Sequence, residues 1–273
     1  MALTDLLAVV DTGDSDSNFI SNALRFAELH DAQLTFLIIS VIPSGDYAGV
    51  YGPPYIILSD FTEAVATKQE RLGELTRRAK VEVRTISELP ETIFATASVQ
   101  ARYADLVLFG PDASFGYPPV RREVLETILF ASGRPVLVLP DNYTPRAIAH
   151  FAVGWNATRE ATLALRDAMK IATPGAKADV LVLEGRPSSK GHGSEPGADI
   201  GHHLARHGFL STVYPLGRGE APDGEAVGQA ARRHGAQLLA LGAYGHSRFR
   251  EMLLGGVTRE LLGGGPIPIL FSH

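Results

Sequence analysis

Short, almost continuously apolar runs alternate along this chain with longer segments whose apolar residues recur every three or four positions. The first pattern fits strands buried on both faces and the second fits amphipathic helices, so their alternation predicts a mainly parallel sheet covered by helices. Strands are expected near Leu6 to Val10, Gln33 to Val41, Val81 to Ile86, Leu106 to Phe109 and Val136 to Leu139, with helices between them. A second series follows near Ala149 to Gly154, Ala178 to Leu183, Ser211 to Tyr214, Leu238 to Leu241 and Ile267 to Leu270. Its helices are expected near Arg159 to Ile171, Ala198 to His207, Glu225 to His234 and Val257 to Leu262. The expected fold class is α/β, with two doubly wound domains, each on a mainly parallel five-stranded sheet.

The two series echo each other residue by residue at three places. Tyr103-Ala-Asp-Leu-Val-Leu-Phe-Gly110 pairs with Gly235-Ala-Gln-Leu-Leu-Ala-Leu-Gly242, Arg134 to Pro140 pairs with Ile267 to Phe271, and Ala8 to Asp11 pairs with Ala152 to Asn156. The chain therefore reads as a tandem duplication, and the polar, proline-broken stretch Asp141 to Pro145 puts the expected domains at 1–143 and 144–273. Asp11 to Gly110 spans 99 residues against 86 from Asn156 to Gly242, a surplus of 13 assigned to a loop from Pro43 to Tyr55. Its three tyrosines fit a lid, a clasp on a partner, or a plain surface loop.

Composition narrows the function. A formal charge of -5 excludes broad nucleic-acid binding, which needs a basic face. With no cysteine, disulfides and thiolate metal sites are excluded and a reducing compartment is favoured. No apolar run approaches the roughly 18 residues needed to span a bilayer, and the first residues carry no basic n-region. The expectation is a cytoplasmic protein with neither nucleic-acid nor membrane partners.

The stretch Leu241 to Thr258 carries the candidate chemistry. Gly242 and Gly245 follow an apolar strand, and Gly255 and Gly256 lead into the expected helix at Val257. Residues without side chains let backbone N–H groups approach an anion, and a helix N-terminus adds orphan donors and partial positive charge. Arg248 and Arg250 fit phosphate neutralisation or a solvated loop equally, and His246 fits a phosphate contact or water. His202, His203 and His207 have no carboxylate or cysteine cluster beside them, so a solvated helix is the better reading than a metal site.

On these residues, with Trp155-Asn-Ala-Thr-Arg-Glu-Ala161, the sequence resembles a tandem universal stress protein over nearly its whole length. That resemblance implies a Rossmann-like, adenine nucleotide alpha-hydrolase-like fold, with the two copies related by a pseudo-twofold and joined through their last strands as an intramolecular pseudo-dimer. Association of whole chains into a homo-oligomer is left open. The resemblance implies ATP or another adenine nucleotide as cofactor and leaves an accompanying Mg2+ open. It places Asn156 at the adenosine end of the nucleotide, Gly185 against adenine, and Gly242, Gly245, His246, Gly255, Gly256, Val257 and Thr258 along the phosphates. Asn156 stands where that family usually has aspartate, and Gly256 where it usually has serine or threonine; Thr258 either compensates or caps the helix.

The equivalent stretch of the first half keeps only Gly110. Ala113 replaces the second glycine, Arg122 and Glu123 replace the third and fourth, and these two charged side chains are expected to block a phosphate. Asp11 is then a turn or helix-terminal residue, and the first half a copy that binds nothing. No P-loop lysine, nucleophile elbow or zincin motif is present, so no catalytic residue is assigned and turnover is limited to slow ATP hydrolysis. The expected function is a nucleotide-dependent stress-response regulator. The competing readings are a ligand-free scaffold or chaperone with vestigial glycines, and an enzyme of the wider fold, which the missing catalytic residues disfavour.

Overall fold

The structure, a computed structural model, describes residues 3–42, 54–76, 80–183, 197–217, 223–243 and 260–273. It divides into two compact units, Leu3–Val136 and Leu137–His273.

In the amino-terminal unit, β1 (Asp5–Asp11), β2 (Gln33–Val41), β3 (Val81–Glu88), β4 (Leu106–Phe109) and β5 (Val136–Val138) lie in the order β3-β2-β1-β4-β5. The pairs β1–β2, β1–β4 and β2–β3 are parallel. Pro135, which cannot donate to a ladder, instead accepts from Val107 N at 3.0 Å and seats β5 beside β4. Helices α1 (Ser17–His30), α2 (Pro54–Thr76), α3 (Pro90–Ala101) and α4 (Pro118–Ala131) connect them. Leu6 to Val10 are almost fully buried, as are Leu106 to Phe109, so these strands are apolar on both faces because both faces are covered. The loop expected from Pro43 to Tyr55 gives way to helix α2 at Pro54, a favoured first helical residue; residues 43–53 lie outside the described residues.

The carboxy-terminal unit repeats the order. Strands β6 (Ile148–Trp155), β7 (Ala172–Leu183), β8 (Leu210–Leu216), β9 (Leu238–Gly242) and β10 (Ile269–Ser272) run β8-β7-β6-β9-β10, again with parallel pairs. Helices α5 (Arg159–Ile171), α6 (Ala198–Arg206) and α7 (Asp223–Arg233) match their expected places within two residues at either end, and of the helix expected from Val257 to Leu262 the described Glu260 and Leu261 are helical.

Two strand starts differ from expectation by two residues or more, for local reasons. β10 starts at Ile269 rather than Ile267 because Pro268 supplies only an acceptor, to Leu239 N at 3.0 Å. β7 starts at Ala172, directly after α5, and its register on β6 jumps from Ile148↔Ala172 to His150↔Lys177. The extra residues turn at Gly175, whose φ of +76° suits glycine.

Candidate functional site

In the carboxy-terminal unit, Asn156 follows β6 and Gly242 ends the neighbouring β9, the two strands being paired at Gly154↔Leu241. Both meet the first turn of α5. Asn156 Oδ1 accepts from Thr158 N at 3.2 Å and from its Oγ1 at 2.8 Å, while Thr158 Oγ1 caps the helix by accepting from Ala161 N at 3.3 Å. This relay satisfies an orphan donor of the helix and holds the Asn156 amide at the carboxyl edge of the sheet, with Nδ2 as its remaining donor. Ala157, between the two, takes a left-handed φ of 57° to make the turn.

Gly242 is constrained by packing. A Cβ built there would lie 2.5 Å from Ala161 N and 2.5 Å from the Glu160 carbonyl carbon, so β9 and α5 close together only on a bare backbone. Beyond Gly242 the strand ends are tied by Ala243 N to Ser272 O at 2.9 Å and by the His273 ring to Ala243 O at 3.0 Å. Asn156 and Gly242 are thus brought together; Gly185, Gly245, His246, Gly255, Gly256, Val257 and Thr258, with Arg248 and Arg250, lie outside the described residues.

The corresponding place in the amino-terminal unit is filled by the protein's own charges. The Asp11 carboxylate accepts from Gly13 N at 2.9 Å and from Gly116 N at 2.7 Å, so a side-chain anion takes the backbone donors. Arg121, on α4, is fully buried. Its Nε donates to Gly110 O at 2.8 Å, an Nη donates to Asp112 at 2.6 Å, and the guanidinium lies 5.8 Å from the centre of the Phe109 ring. Burial lowers its pKa to about 10, against the opposing pull of Asp112. From α2, Lys68 is 2% exposed and donates to Gly13 O at 2.5 Å and to Asp16 at 2.7 Å. Burial pushes the Asp16 carboxyl up, and the Lys68 ammonium only partly opposes this.

These contacts correct one expectation. Arg122 and Glu123 do not fill the first-half site: Arg122 pairs with Glu126 at 2.9 Å along the helix, and Glu123 is exposed. The side chain that enters is Arg121, one residue earlier. The signal was present in sequence, because Arg121, Val124, Leu125, Ile128 and Leu129 form the buried stripe of α4. Lys68 and Leu72 similarly share a buried helix face.

No family model and no curated protein matches the sequence. Solved structures do match. A universal stress protein from Archaeoglobus fulgidus DSM 4304 overlays 97% of this chain and 95% of that one, at 12% identity and a TM-score of 0.68. The chain folds like a universal stress protein. A candidate universal stress protein from Pseudomonas aeruginosa UCBPP-PA14 shares this likeness over 99% of the present chain and 93% of its own, at 16% identity and a TM-score of 0.53. A functionally unknown protein from Pseudomonas aeruginosa PAO1 does so over 99% and 92%, also at 16% and 0.53. Among the described residues, no helix is long and apolar enough to cross a membrane.

Proposed function

We propose that this chain is a tandem of two universal stress protein-like copies, the second of which binds an adenine nucleotide and acts as a nucleotide-dependent regulator of a stress response in the cytoplasm. The observation that carries the reading is the meeting of Asn156 and Gly242 at the carboxyl ends of adjacent parallel strands, beside a helix N-terminus. Open parallel sheets hold ligands at such edges. In sequence, Gly245, Gly255 and Gly256 follow Gly242 within the next fourteen residues, a composition suited to backbone contacts with phosphate. The likeness of fold supports the reading, and the self-filled site of the first unit supports one nucleotide per chain.

A ligand-free scaffold is favoured by different observations: Asn156 Oδ1 is already engaged by Thr158, and packing alone accounts for Gly242. Calorimetry with ATP, ADP and AMP, with and without Mg2+, separates the two, together with mass spectrometry of ligands released from the purified protein. The proposal expects one nucleotide per chain and loss of affinity in Gly245→Val with the fold intact. An empty protein that binds none of the three, or unchanged affinity in Gly245→Val, removes it.

A further inference from the structure

At the opposite, amino-terminal ends of β6, β7 and β8, the carboxy-terminal unit carries a groove of about 440 Å³. Strands of a parallel sheet covered on both faces are apolar throughout. Here they are not. His150 on β6, Lys177 and Asp179 on β7, and Thr212 and Tyr214 on β8 put polar side chains into the groove. The residue after α7, His234, stacks on Tyr214 with ring centroids 3.9 Å apart and closes one wall.

The polar groups are organised. His150 Nε2 and Asp179 Oδ2 lie 2.7 Å apart, and Asp179 is 4% exposed, so a buried carboxylate fixes the orientation of the imidazole. Lys177 is the register partner of His150 on the next strand, is exposed, and forms no ion pair with a described residue. With His150 and Asp179 engaged with each other, the groove presents the Lys177 ammonium as its cation, with the His234 ring among its lining groups. Ala205, Phe209 and Leu210 add apolar lining, chiefly through Leu210, which is 64% exposed and is the register partner of Lys177 on β8.

We propose that this groove binds a small amphipathic organic anion, a carboxylate or phosphate monoester with a short apolar body, its charged head on Lys177 and its body against Leu210. A concave site of this size, with an apolar residue directly beside a cation, suits such a ligand. It lies at the other end of the strands from Asn156 and Gly242 and does not depend on the nucleotide reading.

The test uses the full chain with labelled histidine, following the His150 and His234 ring signals by NMR during titration with benzoate and, separately, phenyl phosphate. Saturable shifts of both rings are expected with at least one probe, and the tighter probe identifies the head group. Acetate and inorganic phosphate, lacking the apolar body, are expected to bind at least about tenfold more weakly. Lys177→Glu, at an exposed position, is expected to weaken the better probe by at least about tenfold without altering the far-ultraviolet circular dichroism. Shifts that rise linearly without saturating, or that are unchanged in Lys177→Glu, overturn the proposal. Gly245→Val is expected to leave these titrations untouched, so the two sites stand or fall separately.

Discussion

The Asp11 carboxylate receives the Gly116 amide at 2.7 Å, tying the end of β1 to the loop that leads into α4. With Gly13 N on its other oxygen, it does locally what an anion from solution would otherwise do. Replacing Asp11 by alanine is expected to cost about 2 kcal/mol, the usual scale for hydrogen bonds to a charged acceptor. Asp11→Asn keeps one acceptor oxygen and is expected to cost less. Urea unfolding of the two variants checks the order, and equal losses would count against a role for both carboxylate oxygens.

Arg121 is a buried cation held by one carbonyl and one carboxylate. Truncation to alanine leaves a cavity and strands Gly110 O, so a loss of about 3 to 5 kcal/mol is expected. Arg121→Met restores volume but still leaves Gly110 O unpaired, so it is expected to recover only the cavity part of that loss. The comparison is again made by denaturant unfolding; an alanine variant as stable as the parent would mean that the guanidinium is not buried.

Gly242→Ala places a methyl against the backbone of α5. The neighbours that must yield are main-chain atoms of Glu160 and Ala161, which cannot rotate away, so the expected cost is about 2 to 3 kcal/mol. Thermal unfolding without nucleotide reads this directly. A neutral substitution would leave close packing without a claim on Gly242.

His30, at the last turn of α1, packs its ring 4.6 Å from that of Phe26, and burial lowers its pKa. The unfolded chain then binds a proton more readily than the folded one, so stability is lost as pH falls below about 6.5 towards the depressed folded value. His30→Gln is expected to flatten the stability profile in that window. A profile of unchanged slope between pH 7 and pH 5 would show that His30 is not the group responsible.

Much of the architecture was legible because burial on both faces leaves a plain record. β2, β4 and α5 have the bounds expected from their apolar patterns, and both halves share one strand order. What escaped depended on neighbours distant in sequence. The buried pairing of Lys68 with Asp16 joins residues 52 apart, and that of His150 with Asp179 joins residues 29 apart. No local periodicity announces them. Arg121 was visible as a charge on an apolar stripe, but its destination required the loop at Gly110 to be placed. The jump in β7 is likewise a matter of register between strands, which composition does not encode.

Asp11, Arg121 and Lys68 supply both signs of charge from within the amino-terminal unit, each held by a partner elsewhere in the chain. Mass action gives no solute leverage over a region whose counter-ions are covalently attached at fixed stoichiometry. The stability that these contacts contribute is therefore independent of solute concentration, whereas any part of a chain that draws a partner from solution is tunable by concentration.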